Sequence, residues 1–265
     1  MANLSALCLD HVVLLLPYTM LSDPPSWLTD IFTISPGGRH ADEKTENRLV
    51  LFKEGTYLEL IAFINDDPEK RRGHWWDKPY GVVDYAFTTS KLDYDGIVDR
   101  LKKSGTEISY EKPKAGGRTT PDGKELKWEV TFPTGVDRGH VPFFCTDVTP
   151  RERRVPVTEQ NTTHPSGVLG MAGMTLEVEK DSLDRIVKAT AAILDQPPPT
   201  KEHQVKVDVP SDVEKLHQAS ISVRETGALL RKSLALSLRL QTADHEKREA
   251  IWEPIEDGAV SLIFE

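Results

Sequence analysis

The sequence predicts an α+β protein built from about three copies of one unit, in which a strand is followed by a helix and then by further strands. Three observations point there. Short runs show apolar residues in alternation, single amphipathic helix patterns follow the first run of a copy, and that order recurs at a spacing of roughly eighty residues. Asp10, Asp84 and Gly173 open the three equivalent strands, so the repeat rests on pattern and spacing more than on identity.

The first copy opens with a strand from Leu9 to Leu16, ended by Pro17 and the Pro24-Pro25 pair. A short helix follows near Ser26 to Phe32, and Pro36-Gly37-Gly38 makes a turn. Arg48 to Phe52 and Thr56 to Phe63 then read as strands around Glu54-Gly55. The second copy opens at Val82 to Thr88 and runs into a helix with Ile97, Val98 and Leu101 on one face, stopped at Gly105. Gly116 to Gly123 reads as a loop by its glycines and its Asp-Gly turn signal, and Glu125 to Phe132 and Val141 to Thr146 as strands. The third copy has a strand at Met174 to Val178, a helix from Ser182 to Leu194 capped by Asp181, and strands at Ala219 to Val223, Leu234 to Leu240 and Ala259 to Phe264. The chain thus divides into residues 1–150 with two copies, a Pro- and Arg-rich linker at 151–165, and a third copy at 166–265 packed on the first two.

A chain of 265 residues holds one large domain or two ordinary ones and buries a sizeable core. With 38% hydrophobic and 28% charged residues it is neither a disordered tail, a collagen-like repeat nor a membrane bundle. The formal charge of -9 argues against nucleic acid or an anionic membrane surface as the main partner. A small-molecule partner is left, and the expected compartment is the cytoplasm. Cys8 and Cys145 sit in apolar strand-like runs and read as buried thiols.

Several strings resemble the glyoxalase-like domain family of the vicinal oxygen chelate superfamily: Leu9-Asp10-His11-Val12-Val13, Gly37-Gly38-Arg39-His40 and Gly55-Thr56-Tyr57-Leu58-Glu59-Leu60-Ile61. Further matches are Arg118 with Pro121-Asp122-Gly123, Leu126-Lys127-Trp128, Pro142-Phe143-Phe144 and His164-Pro165-Ser166-Gly167. They cover about the first two thirds of the chain, and the Gly-Thr-Tyr-Leu-Glu string is the most specific. The resemblance implies βαβββ modules curled into cupped mixed sheets, and a divalent metal held by a His on a module's first strand and a Glu on its last. In this sequence those are His11 and Glu59. The matching positions of the second module are Tyr85 and Phe144, and of the third Met174 and Ile263, so no second His and Glu pair exists.

Metal sites of the lyase and dioxygenase type need about three protein ligands, and His140 or His164 is the candidate third. Catalytic candidates are Glu59, His40 and Arg118, with Arg118, Asn47, Trp76 and Phe144 as substrate contacts. Arg118 follows two glycines and carries the planar fork that suits a carboxylate or enolate. Trp75 and Trp76 read as a pocket roof, a core plug or a homodimer contact. Three functions follow. The first is metal-assisted lyase or isomerase chemistry next to a carbonyl of an oxygenated organic substrate. The second is an iron-dependent ring-cleaving dioxygenase. The third is a metal-free protein that sequesters a hydrophobic small molecule, so a divalent metal and no cofactor at all both stand as expectations.

Overall fold

The computed structural model of the chain describes residues 4–199, 203–211, 213, 216, 218–226, 235–242 and 248–265. Its first module contains β1 (Cys8–Leu15), α1 (Tyr18–Ser22), α2 (Ser26–Thr29), β2 (Ser35–His40), β3 (Thr45–Leu51) and β4 (Tyr57–Phe63). A crossing segment with α3 (Pro68–Arg71) leads to the second module: β5 (Gly81–Thr88), α4 (Tyr94–Ser104), β6 (Ser109–Tyr110), β7 (Lys114–Thr119), β8 (Glu125–Thr131), β9 (Pro133–Thr134) and β10 (Phe143–Asp147).

In each module the first strand runs parallel to the last, and the two strands between them complete an antiparallel meander. Two antiparallel seams join the modules. One is the long β1·β5 pairing, and the other is β2·β7, which rests on two residue pairs, Arg39 with Thr119 and His40 with Arg118. The neighbour order β1-β4-β3-β2-β7-β8-β10-β5 therefore closes on itself, an eight-stranded barrel with no free edge.

Two stretches differ from the sequence expectation for the same steric reason. Pro36-Gly37-Gly38 lies inside β2 instead of forming a turn, and Gly116 and Gly117 lie inside β7 instead of a loop. A β-carbon at Gly37 would stand 2.1 Å from Asn47 Oδ1, and one at Gly116 2.6 Å from Trp128 Nε1. These glycines admit a neighbouring side chain against the strand; they do not turn the chain. Elsewhere local chemistry fixes the ends as expected: Asp93 accepts a bond from Gly96 N at the start of α4, and Gly105 closes that helix with φ 69°.

After β10 the chain forms two short helices, α5 (Arg151–Arg154) and α6 (Glu159–Thr162), then β11 (Val168–Val178), α7 (Lys180–Ile193), β12 (Gln204–Val207), β13 (Ala219–Glu225), β14 (Ala235–Thr242), β15 (Ile251–Ile255) and β16 (Gly258–Phe264). Helix α7 begins one residue before Asp181, and its N-cap Glu179 makes no side-chain cap bond, so Asp181 sits in the first turn. The helix start is then favoured by the acidic charge near its positive end. Leu234, where the sequence starts the next strand, lies outside the described residues. β11 pairs parallel with β13 and antiparallel with β14, while β14 pairs parallel with β16. These are the pairing rules of the barrel applied a second time, so the ladder divides the last hundred residues into two abbreviated units, the second without a described helix. Among the described residues this half stays open, with β12 and β15 at its edges.

The halves share one apolar core running from Val12, Leu58 and Phe144 to Met174, Ile186 and Leu238. Ala259 of β16 pairs with Gly81 of β5, and Arg100 of α4 donates to the carbonyls of Ala192 and Ile193 at the end of α7. Among the described residues no helix is long and apolar enough to cross a membrane.

Candidate functional site

The barrel encloses a cavity of about 170 Å³. Strand alternation decides who faces it. His11 on β1, Tyr57 and Glu59 on β4, Thr45 and Asn47 on β3, His40 on β2 and Arg118 on β7 all line it, and these five strands are consecutive neighbours. The opposite wall is Trp128 and Val130 on β8, Phe143 and Cys145 on β10, and Phe132 just beyond β8.

Glu59 is the centre of the polar cluster. His11 Nε2 lies 3.5 Å from its Oε2 and His40 Nε2 lies 3.4 Å from its Oε1, while Asn47 Nδ2 donates to Oε1. Burial pushes the Glu59 carboxyl up, but the bond from His40 and the charges of the two imidazoles outweigh that and hold it at about 2. It is a firm carboxylate.

Each imidazole is steered from behind. In β1 a bulge falls between Leu9 and His11, leaving Asp10 without a partner on β5. Asp10 Oδ2 stands 2.8 Å from His11 Nδ1. Arg151 and Arg154 keep the Asp10 carboxyl well below its ordinary value despite full burial, so His11 donates through Nδ1–H and presents Nε2 to Glu59. Tyr57 stacks on the His11 ring at 4.6 Å, and its hydroxyl accepts from Arg154 at 2.7 Å. His40 Nδ1 lies 2.7 Å from Thr45 Oγ1, which fixes its ring in the same way.

Arg118 is 5% exposed, donates from Nη1 to Asn47 Oδ1 at 3.0 Å and from Nη2 to the Arg154 carbonyl at 3.2 Å, and leaves its buried Nε–H unmatched. No acid among the described residues forms an ion pair with it. Burial lowers its pKa from the usual arginine value. Asn47 is thereby oriented, with its oxygen toward Arg118 and Gly38 N and its amide nitrogen toward Glu59.

Of the residues singled out from sequence, His11, Glu59, His40, Arg118, Asn47 and Trp76 come together around this cavity. His140, His164 and Phe144 do not. His164 is fully used elsewhere: Nδ1 accepts from Thr33 N at 3.1 Å, Nε2 donates to the Leu51 carbonyl at 3.1 Å, and burial pushes the ring down to about 4. His140 caps its own turn against the Asp137 carbonyl, outside the cavity lining. Phe144 faces the other side of β10, where it packs on Tyr110 at 4.7 Å. The matching of Tyr85 and Phe144 to His11 and Glu59 is therefore corrected. In the second module the inward residues on those strands are Asp84 and Ala86, and Phe143 and Cys145. Asp84 is occupied by Arg138 and by Trp76 Nε1, and burial pushes the Cys145 thiol up.

Sequence reasoning missed Asp10, Tyr57, Trp128 and Arg154 as parts of the site. Arg154 lies in the stretch read as linker, and the one available signal was the cluster Arg151, Arg153 and Arg154 after a proline, too basic for an idle tether.

Among the described residues no three His, Cys, Asp or Glu side chains are gathered ready to hold an ion. The donor chemistry nonetheless fits a divalent metal. Two ligand atoms sharing an ion at bonds of about 2.1 Å stand roughly 3.0 to 3.4 Å apart, close to the separations of both Nε2 atoms from Glu59, and a carboxylate with one or two backed imidazoles is a common set for such ions.

Two paired modules closing a barrel over one His and Glu set define a vicinal oxygen chelate protein. The model of the glyoxalase-like domain family matches residues 9–194, and the chain belongs to that family. No curated protein sequence matches it. Among solved structures, a hypothetical protein from Staphylococcus aureus is similar over 98% of this chain and 100% of its own at 14% identity, with a TM-score of 0.68. A xylose isomerase-like TIM barrel/4-hydroxyphenylpyruvate dioxygenase fusion protein is similar over 92% of this chain and 37% of its own at 10% identity, with a TM-score of 0.50. At such identities these structures speak for the fold alone.

Proposed function

We propose that the chain is a metal-assisted enzyme for proton abstraction next to a carbonyl of a small oxygenated substrate, a lyase or isomerase. The observation that carries this reading is the pair of backed imidazoles converging on Glu59 inside a closed apolar barrel. His11 and Glu59 would hold a divalent ion, which when bound supplies a Lewis acid for substrate oxygens. Glu59, held at about 2, is a poor proton acceptor near neutral pH, which favours a ligand role over the base role. The proton-carrying role falls to His40, which lines the cavity beside Glu59 and has the rings of Trp76 and Trp128 at centroid distances of 6.5 and 6.3 Å. Arg118 offers its unmatched Nε–H to the negative charge that develops on the substrate oxygen. The aromatic walls exclude water from that charge.

His40 also supports a second reading. If it serves as the third ligand, the set becomes two histidines and one carboxylate, which suits iron and oxygen chemistry of the dioxygenase type. His40→Gln separates the two. Proton abstraction requires that the variant keep its metal, measured by elemental analysis after dialysis, and lose the wild type's acceleration, over the uncatalysed rate, of methylene proton exchange of phenylpyruvate into deuterated water. Loss of the metal in His40→Gln transfers the case to the dioxygenase reading. Wild-type protein that takes up no divalent ion overturns both and leaves a binding protein.

A further inference from the structure

We propose that the ligand of this cavity is an aromatic carboxylate, its carboxylate seated against Arg118 at the buried end and its ring against the tryptophans that line the cavity. This rests on the reading that the barrel cavity is the ligand site, and it adds the substrate class to it.

Depth in the cavity follows from exposure. His11, Glu59, Tyr57 and Arg118 are each 5% exposed or less, whereas Trp75 is 42% exposed and Ala41, Asp42 and Ala115 beside it are exposed. Polar groups therefore occupy the inner end, Trp75 flanks the way out with Asp42, and Trp76 and Trp128, 7% and 9% exposed, line the buried wall. Trp75 packs on Phe132 at 5.2 Å, and Trp76 and Trp128 both approach His40, at 6.5 and 6.3 Å. Three of the five tryptophans of the chain line this one cavity. Trp128 can lie flat against β7 because Gly116 has no β-carbon there. The indole rings that line the cavity suit a flat partner, since stacked and edge contacts reward planar groups.

The inner end asks for an anion. A buried guanidinium is ordinarily paired with a carboxylate. Arg154, equally deep, has Asp10 and Asp147. Arg118 has an amide oxygen, a backbone carbonyl and an idle Nε–H, and its nearest acid, Glu59, is reached only through Asn47. Asp10 and Asp147 balance Arg151 and Arg154, and Glu59 balances Arg118, so any divalent ion held by His11 and Glu59 leaves the inner end positive by two charges. A carboxylate supplies the missing acceptor with the planar geometry that guanidinium prefers.

The test is a ligand series on the intact chain, read by tryptophan fluorescence and calorimetry: phenylacetate, acetate and phenylacetamide. Each is measured after chelator treatment and again with Mn²⁺. Phenylacetate is expected to bind about tenfold or more tightly than acetate, which lacks the ring, and than the amide, which lacks the charge. Arg118→Gln should bring phenylacetate and phenylacetamide to equal affinity, and Trp128→Leu should remove the advantage over acetate while keeping that over the amide. Equal binding of phenylacetate and its amide by the wild type, equal binding of acetate, or no binding of phenylacetate overturns the proposal without any variant having to fold. Metal uptake is recorded separately, so a failed ligand series with metal bound leaves the proposed chemistry standing, and a successful series in metal-free protein does the reverse.

Discussion

The two modules of the barrel share a strand order and pairing scheme but contribute unlike things to the cavity they enclose. The first supplies His11, His40, Asn47 and Glu59, the second Trp128, Val130, Phe132, Phe143 and Cys145, and Arg118 enters from the second module at the seam, directly opposite His40. The division has a physical rationale. A metal or acid-base cluster needs low surrounding polarity to strengthen its electrostatics, and a module relieved of chemistry can furnish that apolar wall. Both first strands carry a bulge, at Asp10 and at Val83, and the two differ in what they support. In the first module the bulged residue buttresses an imidazole, while the facing bulge in β5, at Val83, buttresses nothing polar.

If the first module is the working one, the largest effects should fall on what supports it. Arg154→Met removes the guanidinium that serves Asp10, Tyr57 and Asp147 together, leaving Arg151 alone against both carboxylates, and a loss of about 3 kcal/mol is expected in urea unfolding. A loss below about 1 kcal/mol would mean that the network is not organised around this residue.

A smaller and pH-dependent effect is expected at Glu54, in the turn between β3 and β4, where the first module meets the second half. Its Oε1 accepts from Thr56 Oγ1 and Met171 N, its Oε2 has no partner, and burial raises the carboxyl from 4.5 to about 7. A folded value above the unfolded one means the native state holds a proton the unfolded chain has released. Its destabilising effect is absent below pH 4.5, grows as pH rises, and is complete above about 7. Glu54→Gln should thus match wild type in acid and exceed it at pH 8 by on the order of 3 kcal/mol, measured as denaturant midpoints across pH. A pH-independent difference would contradict the assignment.

The smallest effect should come from the second module. Cys145→Ala takes a neutral thiol from the apolar wall, and a cost of about 1 kcal/mol with unchanged metal uptake is expected. Impaired metal uptake would give the second module a part in the chemistry.

Much of this was legible in the sequence, for reasons that can be named. Period-2 alternation around His11 and Glu59 is a local signal, and it aims both inward. Helix α4 carried its own cap and stop in Asp93 and Gly105. What the sequence hid was tertiary. Gly37, Gly38, Gly116 and Gly117 read as turns, yet they are strand residues made small by Asn47, Thr119, Trp128 and the Leu126 carbonyl pressing from neighbouring strands. Matching Asp10 with Asp84 follows residue identity and not register, since the bulge at Asp10 is answered by one at Val83, so the count lands on Tyr85, and on β10 it lands on Phe144, which also faces away from the cavity. Arg154 acts across 144 residues on Asp10, a distance at which no local pattern speaks.

The central claim is that His11, His40 and Glu59 act as one centre on a divalent ion. Calorimetric titration of chelator-treated protein with Mn²⁺, for the wild type and Glu59→Gln, tests it most directly. The account predicts one site in the wild type, weakened by about a hundredfold when the carboxylate charge is removed, a loss comparable to that of a ligand or its buttress. Equal binding by the two proteins, or none by the wild type, would contradict it.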